Sequence, residues 1–139
     1  MFVSNKGDRY EGNWQQGKKH GIGTHTYASG EIYQGYFSNN KKSGEGTYTW
    51  NDGTIYKGSW KNGEPHGQGQ LILTLKKTIL IGEYKNGIIY NGGGMYIYDD
   101  KSRYIGEWKD GKRDGKGILL DPSGKMLKEG KWRADKFIK

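Results

Sequence analysis

The stretch Tyr10–Gly30, YEGNWQQGKKHGIGTHTYASG, decides the fold, because the rest of the chain repeats its pattern. Tyr10, Tyr33 and Tyr56 open copies that are 23 residues apart, each with a Tyr-x-Gly-x-aromatic segment followed by a Gly-x-Gly pair. Self-similarity at a fixed period of roughly 20 to 50 residues is the signature of stacked supersecondary units. The function should therefore lie on a repeated surface and not in a single pocket.

Each copy is predicted to form a β-hairpin. Tyr10, Gly12 and Trp14 alternate along the chain, so they share one face of a strand. Gly17 marks the turn, and the glycines of 21–23 return to the same face on the second strand. A neighbouring ring can cover the empty position beside a glycine, which sets the register and buries the ring. Interior glycines cost a helix about 1 kcal/mol each. We therefore expect an all-β fold: an elongated, twisted, single-layer antiparallel sheet of about 11–12 strands.

The 139 residues are expected to form a single domain of tandem hairpins. Its expected parts are a partial cap at 1–9, repeats at 10–32, 33–55, 56–79, 80–103 and 104–127, and a half repeat with the tail at 128–139.

The fourth repeat departs most from the pattern. Leu80 replaces the opening tyrosine, and the spacing from Leu80 to Tyr104 is one residue longer than the period of 23. We therefore expect a bulge near Asn91–Gly94. Extra residues there and near Lys76–Lys77 can reverse the face that neighbouring side chains occupy.

Composition restricts the possible classes. Hydrophobic residues make up 32% of the chain and aromatic residues 14%, which favours a thin sheet with rings on one face over a thick two-layer core. The chain has no cysteine, which is compatible with a reducing compartment. No apolar run approaches the roughly 18 residues of a membrane span, and the start, MFVSNKGDRY, lacks the apolar core of a signal peptide. The net charge of +8 suits an acidic partner or simply solubility.

The segments YEGNW…GIGTHTY, YKGSW…GQG and YIGEW…GKG resemble the MORN (membrane occupation and recognition nexus) repeat family, and the resemblance extends from about Phe2 to Trp132. It implies an elongated single-layer sheet with an aromatic groove. It also implies an adaptor role, since such repeats occur in membrane-junction, cytoskeletal and axonemal proteins and beside lipid-kinase or methyltransferase domains. These 139 residues contain no such catalytic domain. We expect a non-catalytic scaffold in the cytoplasm, attached to the cytoskeleton or to a membrane surface.

The aromatic face is the first candidate site. Half-exposed Tyr and Trp rings are typical of protein interfaces, and an extended groove suits a helix or strand of a partner. The alternative is that the rings only pack on one another and on the glycines. The expected partner groove comprises Tyr10, Trp14, Tyr33, Phe37, Tyr56, Trp60, Tyr84, Tyr104, Trp108 and Trp132.

Basic hairpin tips are the second candidate site. Equivalent tips should line one edge of the sheet, and each nearby Lys or Arg attracts anionic lipid by about 1 kcal/mol. A peripheral module that binds acidic phospholipid is therefore the alternative function. Charged tips also prevent edge-to-edge aggregation without any ligand. The expected basic rim comprises Lys18, Lys19, Lys41, Lys42, Lys112 and Arg113.

The opposite face becomes more apolar along the chain. Matched positions hold Thr24 and Thr47 early and Ile118 late. A contiguous apolar patch suggests a partner or self-association, whereas strand propensity alone also favours isoleucine. The candidate apolar interface comprises Ile72, Ile88, Ile89, Ile97 and Ile118.

The sequence gives no support for catalysis, a metal or a cofactor. His20 and His66 occupy the same position two repeats apart, roughly 19 Å, too far to share a metal ion. Gly21–Gly23 is followed by neither a helix nor a Lys-Ser/Thr pair, so it is not a phosphate loop. Nucleic acid is the least favoured partner, because rings that could stack bases are expected to cover glycines.

Overall fold

A computed structural model describes residues 2–73 and 78–139. They form one antiparallel sheet of 13 strands that follow each other in chain order. The described residues contain no helix, and the predicted all-β sheet of tandem hairpins is confirmed. The extra residues expected near Lys76–Lys77 lie outside the described part of the chain. The strands are β1 Phe2–Val3, β2 Arg9–Gln15, β3 Lys18–Thr26, β4 Ile32–Ser38, β5 Lys41–Thr49, β6 Ile55–Lys61, β7 Glu64–Leu73, β8 Thr78–Lys85, β9 Ile88–Ile97, β10 Arg103–Lys109, β11 Lys112–Leu120, β12 Met126–Arg133 and β13 Lys136–Phe137.

Two-residue turns close the hairpins. In the first turn, Gln16 and Gly17 have φ values of 51° and 77°. Two positive φ values characterise the type I′ turn, whose twist matches that of the flanking strands. Asn39 and Asn40 have φ values of 49° and 72° in the second turn, so an asparagine takes the expected glycine position. The Asn40 side chain also accepts a hydrogen bond from the backbone N–H of Lys19 at 2.8 Å, which joins neighbouring tips along one edge of the sheet.

The opening tyrosines cover the glycines of the Gly-x-Gly pairs. Gly12 lies opposite Gly23, and a Cβ atom on Gly23 would collide with the Tyr10 ring. The Tyr10 hydroxyl crosses this glycine pair and donates a hydrogen bond to the Asn13 carbonyl at 2.7 Å. Each covering ring is thus buried with its one polar group satisfied. The same bond recurs from Tyr33 to the Tyr36 carbonyl, from Tyr56 to the Ser59 carbonyl and from Tyr104 to the Glu107 carbonyl.

Bulges recur in the hairpins and are not restricted to the fourth repeat. In the first hairpin the register shifts between Gly12 and Trp14, beside the carbonyl that the tyrosine hydroxyl reaches. In the fourth hairpin Glu83 pairs with Asn91 and Tyr84 pairs with Ile89. Tyr90 is unpaired there, next to the expected range Asn91–Gly94. Within that range the register also breaks, because Gly82 pairs with Gly92 whereas Gly106 pairs with Gly94.

The sheet changes course between β8 and β9. The β8–β9 ladder ends where Gly82 pairs with Gly92, and β9 then pairs with β10. A Cβ atom on Gly93 would lie 3.0 Å from the Leu80 Cβ, and one on Gly94 would lie 2.6 Å from the Tyr84 hydroxyl. The second half of β9 therefore runs over the side chains of β8 and not beside its backbone.

An ion pair shows how far the sheet folds at this point. Arg103 at the start of β10 donates a hydrogen bond to Asp52, in the turn between β5 and β6, at 2.8 Å. In a flat sheet β6 and β10 would be four strand spacings apart, about 19 Å. Met95 of β9 is only 8% exposed and belongs to the same core as Tyr56 and Leu71. The chain thus forms a corner at the fourth repeat, and the strands on either side of it share one core.

Candidate functional site: the inner aromatic face

The face that carries Tyr10, Gly12 and Trp14 is called here the inner face, and the opposite side of the sheet is the outer face. Nine of the ten rings expected in the partner groove are at most 7% exposed, whereas Trp14 is 45% exposed. The buried rings pack edge to face: Tyr33, for example, lies 5.1 Å from Phe37 and 5.2 Å from Trp60 between ring centroids. These nine side chains form the core of the sheet, and a partner would reach other residues first.

A second set of rings lies half-buried on the inner face, towards the turns that join one hairpin to the next. Tyr48 lies 4.8 Å from Trp50 and 5.8 Å from Tyr27, and its hydroxyl donates a hydrogen bond to Glu31 at 2.7 Å. Burial, together with the nearby Glu31 carboxylate, raises the pKa of the Tyr48 phenol. Their place after the Gly-x-Gly pairs, one or three positions before a turn, could have separated them from the core rings. The set comprises Tyr27, Tyr48, Trp50, Tyr96 and Tyr98.

The six residues of the expected basic rim do not form one row. Lys18, Lys41 and Lys112 are exposed at the tips. Their neighbours in sequence, Lys19, Lys42 and Arg113, are half-buried and lie over rings of the inner face. The reason is the period of two along a strand, which sends adjacent side chains to opposite faces.

Lys42 has the most aromatic surroundings of the three. Its ammonium nitrogen lies 5.5 to 5.7 Å from the centroids of four rings, within the range of cation–π attraction. Burial lowers the pKa of Lys42, because desolvation disfavours the charged form. The four rings belong to Tyr27, Tyr33, Tyr48 and Trp60.

Arg113 is held differently. Its guanidinium lies 4.5 Å from the Trp132 ring, and it also contacts Asp135 of the last hairpin turn. The distance from Nε to the carboxylate is 3.3 Å, and Nη2 donates to the Asp135 carbonyl at 2.9 Å. This cation therefore has an anionic partner within the chain, and it ties β11 to the last turn.

The tips of the last two hairpins carry a basic cluster, of which the expected basic rim included only Lys112. Lys109 lies opposite Lys112, and Arg133 lies opposite Lys136, all of them exposed. Like charges directly opposite each other destabilise a sheet, so each of these two pairs has an unfavourable charge interaction. The missed signal was a basic residue on each side of a two-residue turn, as in KDGK and RADK.

The five isoleucines of the candidate apolar interface are not brought together. Ile89 is fully buried, and Ile88 is 46% exposed at a tip. Ile97 lines a cavity with Tyr56 and Leu71, because the corner moves the second half of β9 over the core. Ile72 pairs with Ile55 and Ile79 on the outer face, and Ile118 pairs with Ile105 and Glu129.

Two cavities open on the inner face. The corner cavity, of about 190 Å³, contains Trp50, Tyr56, Leu71, Met95 and Ile97 in its wall and is mostly apolar. The second, of about 240 Å³, is lined by Ile88, Tyr96, Tyr98, Trp108, Gly111, Arg113 and Asp135. Both lie among half-buried rings, so they are the concave features that a partner side chain could fill.

Among the described residues, no cluster of three or more His, Cys, Asp or Glu side chains could hold a metal ion. His25 Nε2 lies 3.1 Å from Asp8, and Asp8 also accepts a hydrogen bond from the backbone of Ala28. These bonds lower the pKa of Asp8, while burial lowers that of His25. The pair joins the chain before the first hairpin to the end of β3, which is a structural role.

No helix in the described parts of the chain is long and apolar enough to cross a membrane. A comparison with curated protein sequences gave no match. The family model for the MORN repeat matches residues 10–32, 33–55, 56–74 and 104–126, and its matches do not include β8 and β9. These matches cover more than half of the chain, and the protein belongs to the MORN repeat family.

Proposed function

We propose that this protein is a non-catalytic adaptor that holds a segment of a partner protein on its inner aromatic face. MORN repeats are interaction modules for proteins or membranes, and the family is non-enzymatic. The observation that carries the proposal is the row of half-buried rings beside two cavities on the inner face of the sheet that the described residues form.

The composition of this face supports a protein ligand. Tyr and Trp are enriched at interfaces, because each buries a large apolar area and still offers a polar atom. Trp50 and Tyr98 line the two cavities, whereas the fully buried Tyr33 and Tyr104 already use their hydroxyls inside the sheet. Contact with a partner therefore rests on the half-buried rings, with the buried rings as their support. We place the adaptor in the cytoplasm, linked through its partner to the cytoskeleton or to a membrane surface.

Quantitative affinity capture tests this function. A Trp50→Ala/Tyr98→Ala variant should lose at least about tenfold of its captured partner, since aromatic residues at the centre of an interface contribute about 2 kcal/mol or more each. Tyr36→Ala is the matched control, because Tyr36 is 47% exposed and lies on the outer face. Melting curves would show that the variants remain folded. If the wild type, the Trp50→Ala/Tyr98→Ala variant and the Tyr36→Ala control all capture the same amount of partner, the proposal is contradicted.

Acidic phospholipid is the second candidate ligand, and the basic cluster of Lys109, Lys112, Arg133 and Lys136 favours it. Four cations at about 1 kcal/mol each would give measurable attraction at low salt. Sedimentation with phosphatidylserine vesicles should show binding that weakens steeply as ionic strength rises. A Lys109→Gln/Lys136→Gln variant should bind less, and a wild type that ignores these vesicles at low salt excludes this candidate.

A further inference from the structure

We infer that copies of this protein associate head to tail, with the β12–β13 edge of one sheet against the β1–β2 edge of the next. The inference goes beyond the adaptor function, because it assigns a second interaction surface whose partner is another copy of the same chain.

Large apolar side chains are exposed at both edges of the described sheet. Trp14 is 45% exposed, whereas the rings at the same position of the later repeats are at most 7% exposed. Large apolar side chains that stay exposed side by side are typical of an interface. The others are Phe2 and Val3 at the same edge, and Met126, Leu127, Phe137 and Ile138 at the opposite edge.

The strands at these edges are covered over only part of their length. Among the described residues, β1 pairs with Arg9 and Tyr10 and leaves the half of β2 near the turn without a neighbour on that side. At the opposite edge, residues 136–139 pair with 131–133 and leave the other half of β12 without one. Unpaired backbone N–H and C=O groups at a sheet edge are a template for another strand.

The two covering segments complement each other in the register of the repeat. Residues 2–3 pair with β2 as residues 25–26 pair with β4. Residues 136–137 pair with β12 as residues 18–19 pair with β2. One copy therefore supplies the part of a second strand next to the turn, and the other copy supplies the part away from it. The two segments do not overlap, so together they would complete one hairpin between β12 of one copy and β2 of the next.

The inner face shows which side chains would meet in this joint. Lys42 and Arg113 are the second residues of β5 and β11, and their charged groups lie 5.6 Å and 4.5 Å from the ring centroid of the tryptophan one repeat further on. Phe137 is the second residue of β13, and Trp14 is the matching tryptophan of the next copy. Phe137 is 36% exposed, so an exposed phenylalanine and an exposed tryptophan would bury each other.

The hairpin tips supply a backbone contact of the same kind. The second residue of each later turn donates its N–H to a carbonyl of the preceding hairpin, as from Asn40 to Lys19 at 3.0 Å and from Asp135 to Arg113 at 2.9 Å. Between two copies, the matching donor is the Gly17 N–H. Because the two edges differ, the contact is heterologous and can continue from copy to copy, which would extend the inner aromatic face.

A cysteine cross-link tests the joint, because the chain has no cysteine of its own. Phe2 of one copy would lie opposite Lys128 of the other, as His25 lies opposite Tyr10. Opposite residues are about 4.5–5.5 Å apart between Cα atoms, within the range for a disulfide. Phe2→Cys and Lys128→Cys chains of different mass, mixed and oxidised, should form disulfides between unlike chains in excess of those between like chains. The Phe2→Cys/Lys128→Cys double variant should form a ladder of linked chains.

Lys57→Cys is the matched control for Lys128→Cys, since Lys57 is exposed on β6 in the middle of the sheet, and it should cross-link only at background level. In sedimentation equilibrium, Trp14→Ala should weaken association at least about tenfold. Tyr36→Ala, which removes a ring of similar exposure from the outer face, should not. Melting curves would check that these variants are folded.

Three results would each overturn the head-to-tail contact. They are disulfides between like chains only, cross-linking no greater than with Lys57→Cys, and a wild type that stays monomeric at high concentration. An association that Trp14→Ala leaves unchanged would overturn it as well. None of these results bears on partner capture through Trp50 and Tyr98, so the adaptor function stands or fails separately.

Discussion

A methyl group on Gly46 should measurably destabilise the sheet. Gly46 lies opposite Gly35, and a Cβ atom there would overlap the Tyr33 ring, which has no exposed surface. Overpacking of this kind costs about 1–3 kcal/mol. Displacing the ring also breaks the 2.8 Å hydrogen bond from Tyr33 to the Tyr36 carbonyl, which contributes about 0.5–1.5 kcal/mol. We therefore expect Gly46→Ala to lower the free energy of unfolding by about 2–4 kcal/mol.

Urea denaturation followed by tryptophan fluorescence measures this change. Tyr33→Phe is the first control, because it removes only the hydrogen bond and should cost about 0.5–1.5 kcal/mol. Tyr33→Leu combined with Gly46→Ala is the second, since the fourth repeat already has Leu80 in the tyrosine position. The double variant should be more stable than the two single losses predict, because the methyl group and the ring compete for one space. An unchanged unfolding free energy for Gly46→Ala would refute the explanation of rings over glycines.

Three further predictions concern the corner, the phenols and the outer face. Met95→Ala should lower the free energy of unfolding by about 2–5 kcal/mol, because Met95 is buried where β9 crosses the core; a loss below about 0.5 kcal/mol would contradict this corner. Burial raises the pKa of Tyr27 to about 12. The phenol therefore ionises in the unfolded chain at a lower pH than in the folded protein, and stability should fall as the pH rises from about 10 towards 12. Denaturation midpoints that stay constant over this range would contradict this prediction. Ile79 and Ile81 are 58% and 62% exposed on the outer face. Any self-association of the protein through this face, measured by light scattering, should therefore weaken in the Ile79→Thr/Ile81→Thr variant. If the wild type remains monomeric at high concentration, these isoleucines serve only strand formation, which their β-branched side chains favour.

Much of the architecture follows from the alternation of residues along each strand and from the residues in the turns, both of which can be recognised in the sequence. Tyr10, Gly12 and Trp14 alternate with the period of a strand, and a two-residue turn near Gly17 can join only adjacent antiparallel strands. Each repeat therefore specifies the same hairpin, and stacking the copies predicts one sheet in chain order, as found. The sequence also predicts that Asn40 can replace a turn glycine, because asparagine tolerates the positive φ that the turn requires.

In the sequence analysis the inner rings form one set, with no division between core and surface. Tyr33 and Tyr48 lie opposite each other on the same face. Tyr33 is fully buried, whereas Tyr48 stays half-exposed. The difference arises because the Tyr33 hydroxyl reaches a carbonyl at the bulge and its ring lies over glycines from two strands. Burial of this kind depends partly on Gly46, which belongs to the neighbouring strand.

By itself, then, the sequence determined the repeat, the hairpin and the strand order. Only the tertiary structure decided that Lys42 turns into a surround of four rings while Lys41 stays in solvent. It also decided that β9 crosses the core, which brings Arg103 to Asp52 and puts Ile97 in a cavity wall. The physical reason is that local patterns set which residues pair with the next strand, whereas the path of the sheet depends on how all strands pack together. One irregular repeat, with Leu80 in place of a tyrosine, was enough to redirect the strands that follow it.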